Sequence, residues 1–216
     1  QPGPAWSWTA FANSINWMVN QPQKAAIINL SLGSNGFFTD NALAALKNAI
    51  NKDTLLTISS GNEGQSQPSW PAAYANAAWA NGQIIVVGSV DKNNQLSSFS
   101  NAAGVTAPWY VVAPGEEVTV GRIGKTYATV DGTSFAAPIV AGQAALIKSR
   151  WPQLKSYEIA QIIFQTATRL GEMQDDFNPD PLYGWGLIDV TKSLQPIGIL
   201  EVQLADGTKL PVALLS

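Results

Sequence analysis

The residues able to do chemistry in this chain are concentrated in Gly132-Thr133-Ser134-Phe135-Ala136-Ala137-Pro138, which brings a serine to the mouth of a helix. A serine hydroxyl is a weak nucleophile until a neighbouring base takes its proton, and that base is usually histidine. The chain contains no histidine. It reads as part of a catalyst whose base was lost or sits on another piece of chain. At a helix N-terminus Ser134 meets unpaired backbone N–H groups and the positive end of the dipole, which favour negative charge developing nearby. Ala136 and Ala137 keep the first turn uncluttered, and Pro138 is tolerated because its N–H would be unpaired there. Gly132 lets the backbone approach a ligand closely. A lone Gly-Thr-Ser ahead of a helix would still be an N-cap, so Ser134 needs support from elsewhere.

Two other segments supply it. Ser60-Gly61-Asn62-Glu63-Gly64 follows an apolar run and offers the Asn62 amide as a donor, although alone it is a turn asparagine. Asn29-Leu30-Ser31-Leu32-Gly33 closes another apolar run and alone is an ordinary strand end. The elements that must hold these segments are legible from periodicity. Phe11, Ile15, Trp17, Met18 and Val19 predict a helix over Thr9–Asn20. Ala25–Leu32, Leu55–Ser59 and Ile84–Val90 are continuous apolar runs of the kind buried on both faces of a sheet. Asp40 is the expected N-cap of a helix carrying Leu43, Leu46 and Ile50 on one face. A long helix over Ala136–Trp151 is stopped by Lys148, Arg150 and then Pro152, and another is expected over Ser156–Leu170. Alternation of this kind predicts an α/β fold with a mostly parallel central sheet. Ile199–Ala205 and Thr208–Leu214 flank Asp206-Gly207 and predict an appended β-hairpin or the start of a linker.

Composition narrows the function. With 216 residues and 46% hydrophobic content there is chain for one sizeable core. A net charge of -3 with 12% charged residues is unlike a nucleic-acid binder. No apolar run approaches the roughly 20 residues that cross a bilayer, so no membrane anchor is evident. Without cysteine or histidine there are no disulfides, no thiolate metal sites and no imidazole ligands, and no metal or other cofactor is expected. Glu172, Asp175, Asp176 and Asp180 read as a solvated acidic loop rather than a catalytic carboxylate pair. The eight tryptophans read as packing residues, with Trp70, Trp79 and Trp109 in loops able to border a cleft. The chain opens at Gln1-Pro2-Gly3-Pro4 with neither methionine nor signal segment, so residues upstream of Gln1 are expected.

Gly132 to Gly142, Ser60 to Gly64 and Asn29 to Gly33, in this order, together resemble the subtilisin-like serine proteases. Pro114-Gly115 and Tyr183-Gly184-Trp185-Gly186-Leu187-Ile188 fall where that family carries similar turns, and the resemblance runs from about Trp6 to Leu194. It implies a three-layer fold whose N-terminal part is missing, a peptidase portion over 1–196 and an extension over 197–216. It implies Ser134 as nucleophile and Asn62 as side-chain oxyanion donor. Ser31, Leu32 and Gly33 would pair with substrate backbone, while Ser59, Ser60 and Gly61 would wall the pocket before the scissile bond. The family's aspartate and histidine motifs are absent. The resemblance therefore implies a serine endopeptidase completed by an N-terminal fragment that carries both, acting on peptides or proteins outside the cell or in its envelope. This chain alone is then expected to be inactive. Calcium sites are common in the family, but at the weaker one Tyr110 stands where an aspartate often ligates. The sedolisins, a related family, carry an aspartate where this chain has Asn62, which sets them aside. The rival reading is a non-catalytic peptide-binding module that keeps the strand groove.

Overall fold

The apolar runs of the chain become parallel strands because their side chains are wanted on both faces of one sheet. A computed structural model describes residues 7–34, 36, 38–124, 126–172 and 178–195, with the backbone of 201–203 and 209–211. Strands β1 (Ile27–Leu30), β2 (Leu55–Ser59), β3 (Ile84–Val90) and β4 (Tyr110–Pro114) form a parallel sheet in the order β1-β2-β3-β4. Alternation divides the core in two. Ile28, Leu30, Leu56, Ile58, Ile84, Val86, Tyr110 and Val112 face one layer with helices α1 (Trp8–Asn20) and α2 (Asp40–Asn51). Leu55, Ile85, Val87, Val111 and Ala113 face the other layer, made by α3 (Thr133–Arg150) and α4 (Ser156–Thr166). This is the expected three-layer α/β architecture.

Local chemistry sets the ends of the elements. The Ser7 hydroxyl caps α1 by accepting the Ala10 N–H at 3.0 Å. At the C-terminal end of α2, the Lys24 ammonium donates to the carbonyls of Lys52 and Asp53, a cation placed on a negative dipole end. Burial pulls its pKa below the ordinary lysine value, with the Asp53 carboxylate opposing. Asp40 is not the N-cap of α2. Thr39 holds that position with extended backbone and no side-chain bond, while Asp40 opens the first turn, where its charge still suits the dipole.

Three other boundaries move. The first strand is Ile27–Leu30, shorter than the apolar run around it. Helix α3 starts at Thr133, so Ser134 lies inside the first turn rather than ahead of it. Helix α4 stops at Thr166, because Ala167 turns extended and Thr168 pairs with Leu187, its N–H donating to the Leu187 carbonyl at 2.7 Å. Strand β4 is short, and Pro108 in the turn before it masks the run that makes it. A hairpin of β5 (Val118–Arg122) and β6 (Thr126–Val130) connects β4 to α3. It escapes periodicity because both strands are largely solvent-facing.

Asp180 is not solvated. Its carboxylate is buried and accepts backbone N–H groups from Glu172 at 3.1 Å, Leu182 at 2.7 Å and Tyr183 at 3.0 Å. It staples a turn. Asp175 and Asp176 lie outside the described residues. At the C-terminus β7 (Glu201–Gln203) pairs antiparallel with β8 (Lys209–Pro211), the expected hairpin, and its Asp206-Gly207 turn is outside the described residues. Among the described residues no helix is long and apolar enough to cross a membrane.

Candidate active site

The N-cap of α3 is Gly132, not Ser134. Its φ of 149° and ψ of 147° lie where a side chain is disfavoured, which is why a glycine turns the chain into this helix. Its N–H donates to the Gly115 carbonyl at 2.8 Å, so the Pro114-Gly115 turn buttresses the entry. Ser134 is then the second residue of the helix, half-buried. Among the described residues its hydroxyl has no hydrogen-bond partner, and no base stands beside it.

Asn62 meets this helix from the loop after β2. Its Oδ1 accepts two bonds from Thr133, the backbone N–H at 2.9 Å and the hydroxyl at 2.8 Å. Two donors on one oxygen fix which end of the amide is which. The Nδ2 end is left facing Gly132, where an added Cβ would sit 3.5 Å away, and it makes no protein bond among the described residues. Asn62 is exposed. An oriented amide donor thus stands at the positive end of a helix, one residue from the serine, suited to hold an oxygen that gains negative charge.

A residue that sequence reasoning missed holds the Asn62 loop in shape. Asn101 is fully buried. Its Oδ1 accepts the N–H groups of Glu63 at 3.1 Å and Gln65 at 2.9 Å. Its Nδ2 donates to the Ser60 carbonyl at 3.1 Å, Glu63 Oε2 at 3.0 Å and Ser69 Oγ at 3.0 Å. The Asn101 N–H donates to the Gly61 carbonyl at 3.1 Å, and its own carbonyl accepts the Tyr110 hydroxyl at 2.6 Å. Gly61 has φ of 113°, and a Cβ there would lie 2.6 Å from both Ser69 Oγ and Glu63 Oε2, so only glycine fits. In sequence Asn101 is one more polar residue after Ser97-Ser98-Phe99-Ser100. No local pattern distinguishes it.

Ser31, Leu32 and Gly33 continue beyond β1 along the outer edge of the described sheet. The Ser31 hydroxyl reaches back to the helix and donates to the Ser134 carbonyl at 2.7 Å. Ser34 then bridges to Trp70 in antiparallel fashion. A cavity of about 340 Å³ is lined by Trp8, Leu32, Gly33 and Ser34. The Trp8 ring that walls it lies 4.1 Å from the Phe38 ring, an aromatic border on a helix rather than in a loop. Trp70 and Trp79 instead pack on Tyr74, and Trp109 packs against both cores. Ser59 and Ser60 are buried, their hydroxyls donating to the carbonyls of Leu32 at 3.4 Å and Asn101 at 3.0 Å. Any pocket they wall is walled with backbone. The structure therefore gathers Ser134, Asn62 and Ser31 at one helix N-terminus, with Ser60 and Gly61 in the supporting loop.

Comparison with known proteins places the chain in a family. A sequence model of the subtilase family matches residues 3–186. Subtilisin BL of Lederbergia lenta is 38% identical over 186 residues, covering 84% of this chain and 60% of that protein. Subtilisin Savinase of the same organism is 38% identical over 188 residues, covering 85% and 61%. Among solved structures, Patellamide maturation protease PatA superposes with a TM-score of 0.74 at 24% identity, covering 90% of this chain and 70% of that one. This last likeness speaks to the fold. The chain belongs to the subtilase family. It spans about 60% of the length of the subtilisins it matches.

Proposed function

We propose that this chain is the nucleophile-bearing part of a subtilisin-like serine endopeptidase. Ser134 attacks a peptide carbonyl, the Asn62 Nδ2 and the Ser134 backbone N–H hold the oxyanion, and an acyl-enzyme forms on Ser134 Oγ. The extended substrate runs along Ser31, Leu32 and Gly33, with Ser59, Ser60 and Gly61 behind the side chain that precedes the scissile bond. The observation that carries this reading is the Asn62 amide, locked by two Thr133 donors so that its N–H₂ end is presented beside the serine. A turn asparagine with no catalytic task has no need of a fixed outward donor.

The proton of Ser134 must go to a base. With no histidine in the chain, an upstream segment carrying histidine and aspartate completes the site. The likeness to subtilisins supports action outside the cell or in its envelope. The peptidase portion ends near residue 196, and 197–216 form an extension.

The experiment is active-site labelling. The chain with its upstream segment rigorously excluded should not react with a serine-directed phosphonate, and the assembled form should label at Ser134 and lose labelling in Ser134→Ala. Labelling of the lone chain at Ser134 would overturn the missing-base reading. An assembled form that binds peptide but never labels would establish the non-catalytic binding module instead.

A further inference from the structure

Ser134 is the second residue of α3, so in a regular helix its carbonyl accepts the N–H of residue 138. Residue 138 is Pro138, which has no N–H. The helix therefore leaves the carbonyl of the nucleophile's own residue without its donor. The Ser31 hydroxyl supplies one from the strand, at 2.7 Å. Ser31 is itself oriented. Asn29 Nδ2 donates to Ser31 Oγ at 2.9 Å, and Thr57 Oγ1 donates to Asn29 Oδ1 at 3.3 Å. With one lone pair of Ser31 Oγ taken by Asn29, its hydrogen is directed to the Ser134 carbonyl.

The placement of these residues is unusual for the sheet. The alternation of β1 and β2 puts Ile27 and Leu55 against the α3 layer, and that face should continue apolar. It changes instead to Asn29, Ser31 and Thr57 where it nears the start of α3. Thr57 is completely buried. A hydroxyl buried there costs free energy unless it is bonded, whereas Asn29 and Ser31 are exposed at the sheet edge. Here each is bonded to the next.

We propose that Asn29 and Thr57 are positioning residues which, through Ser31, hold the Ser134 carbonyl in place of the helical bond that Pro138 cannot make. The nucleophile is thereby registered to the substrate strand and not only to its own helix. A peptide lying along Ser31–Gly33 and the attacking Ser134 Oγ then share one rigid frame, which is where alignment lowers a barrier. The proposal rests on the reading of Ser134 as nucleophile.

Four proteins form the central cycle of the test, each as the assembled enzyme with its upstream segment: the parent, Ser31→Ala, Pro138→Ala and the double variant. Ser31→Ala keeps the strand backbone that would bind substrate, so KM should stay near the parent value. Its kcat should fall about tenfold, the scale of losing one positioning hydrogen bond. In the double variant the new N–H at position 138 gives the carbonyl a donor within the helix, and most of the loss should be recovered. Asn29→Ala should show the same kcat-selective loss, more weakly. Thermal unfolding of the same four proteins provides an independent cycle. Ser31→Ala should lower Tm when Pro138 is present and leave it nearly unchanged in the Pro138→Ala background. Equal Tm losses in both backgrounds would overturn the tie. An unchanged kcat in Ser31→Ala, or no recovery in the double variant, would overturn the positioning role. If the parent assembly shows no Ser134-dependent turnover, the protease reading fails and the positioning role with it, while the thermal cycle still decides the tie.

Discussion

Asn62 and Asn101 are two asparagines with opposite tasks. Asn62 commits only its carbonyl end to the protein, whereas Asn101 commits every donor and acceptor it has. Replacing Asn62 by Ala should lower stability modestly, because two Thr133 donors lose their acceptor, but should depress kcat far more with little change in KM, since the donor matters most once charge has developed. The benchmark is subtilisin's own oxyanion asparagine, whose loss costs about 10²–10³ in kcat, a borrowed magnitude. Steady-state kinetics on the assembled enzyme checks it, and equal losses in kcat and thermal stability would argue for a structural role. Asn101→Ala should behave in the reverse order. It leaves the N–H groups of Glu63 and Gln65 without the oxygen they share, at a cost of roughly 2–4 kcal/mol. Denaturant unfolding should detect that loss first, with activity failing because Asn62 is no longer presented. Asn101→Asp should not rescue, because its carboxylate would face Glu63 Oε2 where the amide donor stood.

At the scale of elements, β3 and β4 are locked by one phenol. The Tyr110 side chain lies across Gly88, where any Cβ would collide with its hydroxyl, and donates to the Asn101 carbonyl behind the Asn62 loop. Burial pushes the pKa of this hydroxyl up to about 12. The unfolded chain releases the same proton near about 10. Since the folded value is raised, its contribution is fully present below about pH 10 and is lost as pH climbs towards 12, up to roughly 2–3 kcal/mol. Tyr110→Phe should be less stable at neutral pH by about 1 kcal/mol for the lost bond, and should show a shallower alkaline decline than the parent. Unfolding curves between about pH 9 and 12 compare the two, and parallel declines would refute the assignment. Gly88→Ala should fail more severely at every pH, because nothing can move away from a fully packed sheet. The stretch Tyr110 to Pro114 has β-favouring residues in Tyr110, Val111 and Val112, and its pairing with β3 fixes it as a strand.

For the whole molecule, the decisive feature is the outer edge of β1. The described sheet stops there, with Asn29 and Ser31 exposed beside the candidate nucleophile. An open parallel edge presents unpaired backbone groups and invites association. The proposed upstream segment would cover this edge and bring the base to Ser134 in the same step. No disulfide from this chain could hold it, since the chain has no cysteine. Light scattering should show the lone chain associating or aggregating. Mass spectrometry of a folded active sample should find additional upstream residues, very roughly one hundred of them, the scale of the rest of one domain. A monomeric lone chain with a cooperative thermal transition would count against the split site.

Much of this protein can be read along the chain because the relevant signals are local. Strands β2 and β3 have the boundaries their apolar runs suggest, since burial on both faces leaves no room for charged residues. Ser134 and Asn62 stand out because glycines must surround them for backbone to approach. Other features depend on partners distant in sequence. Asp180 reads as surface along the chain, yet three backbone N–H groups close around it. Asn101 and Tyr110 have no motif of their own, because a hydrogen-bond hub is defined by what converges on it. Pro138 is enough to show that a carbonyl is left without its helical donor. Only the approach of β1 to the start of α3, 103 residues apart in sequence at the Ser31–Ser134 bond, decides what takes that donor's place.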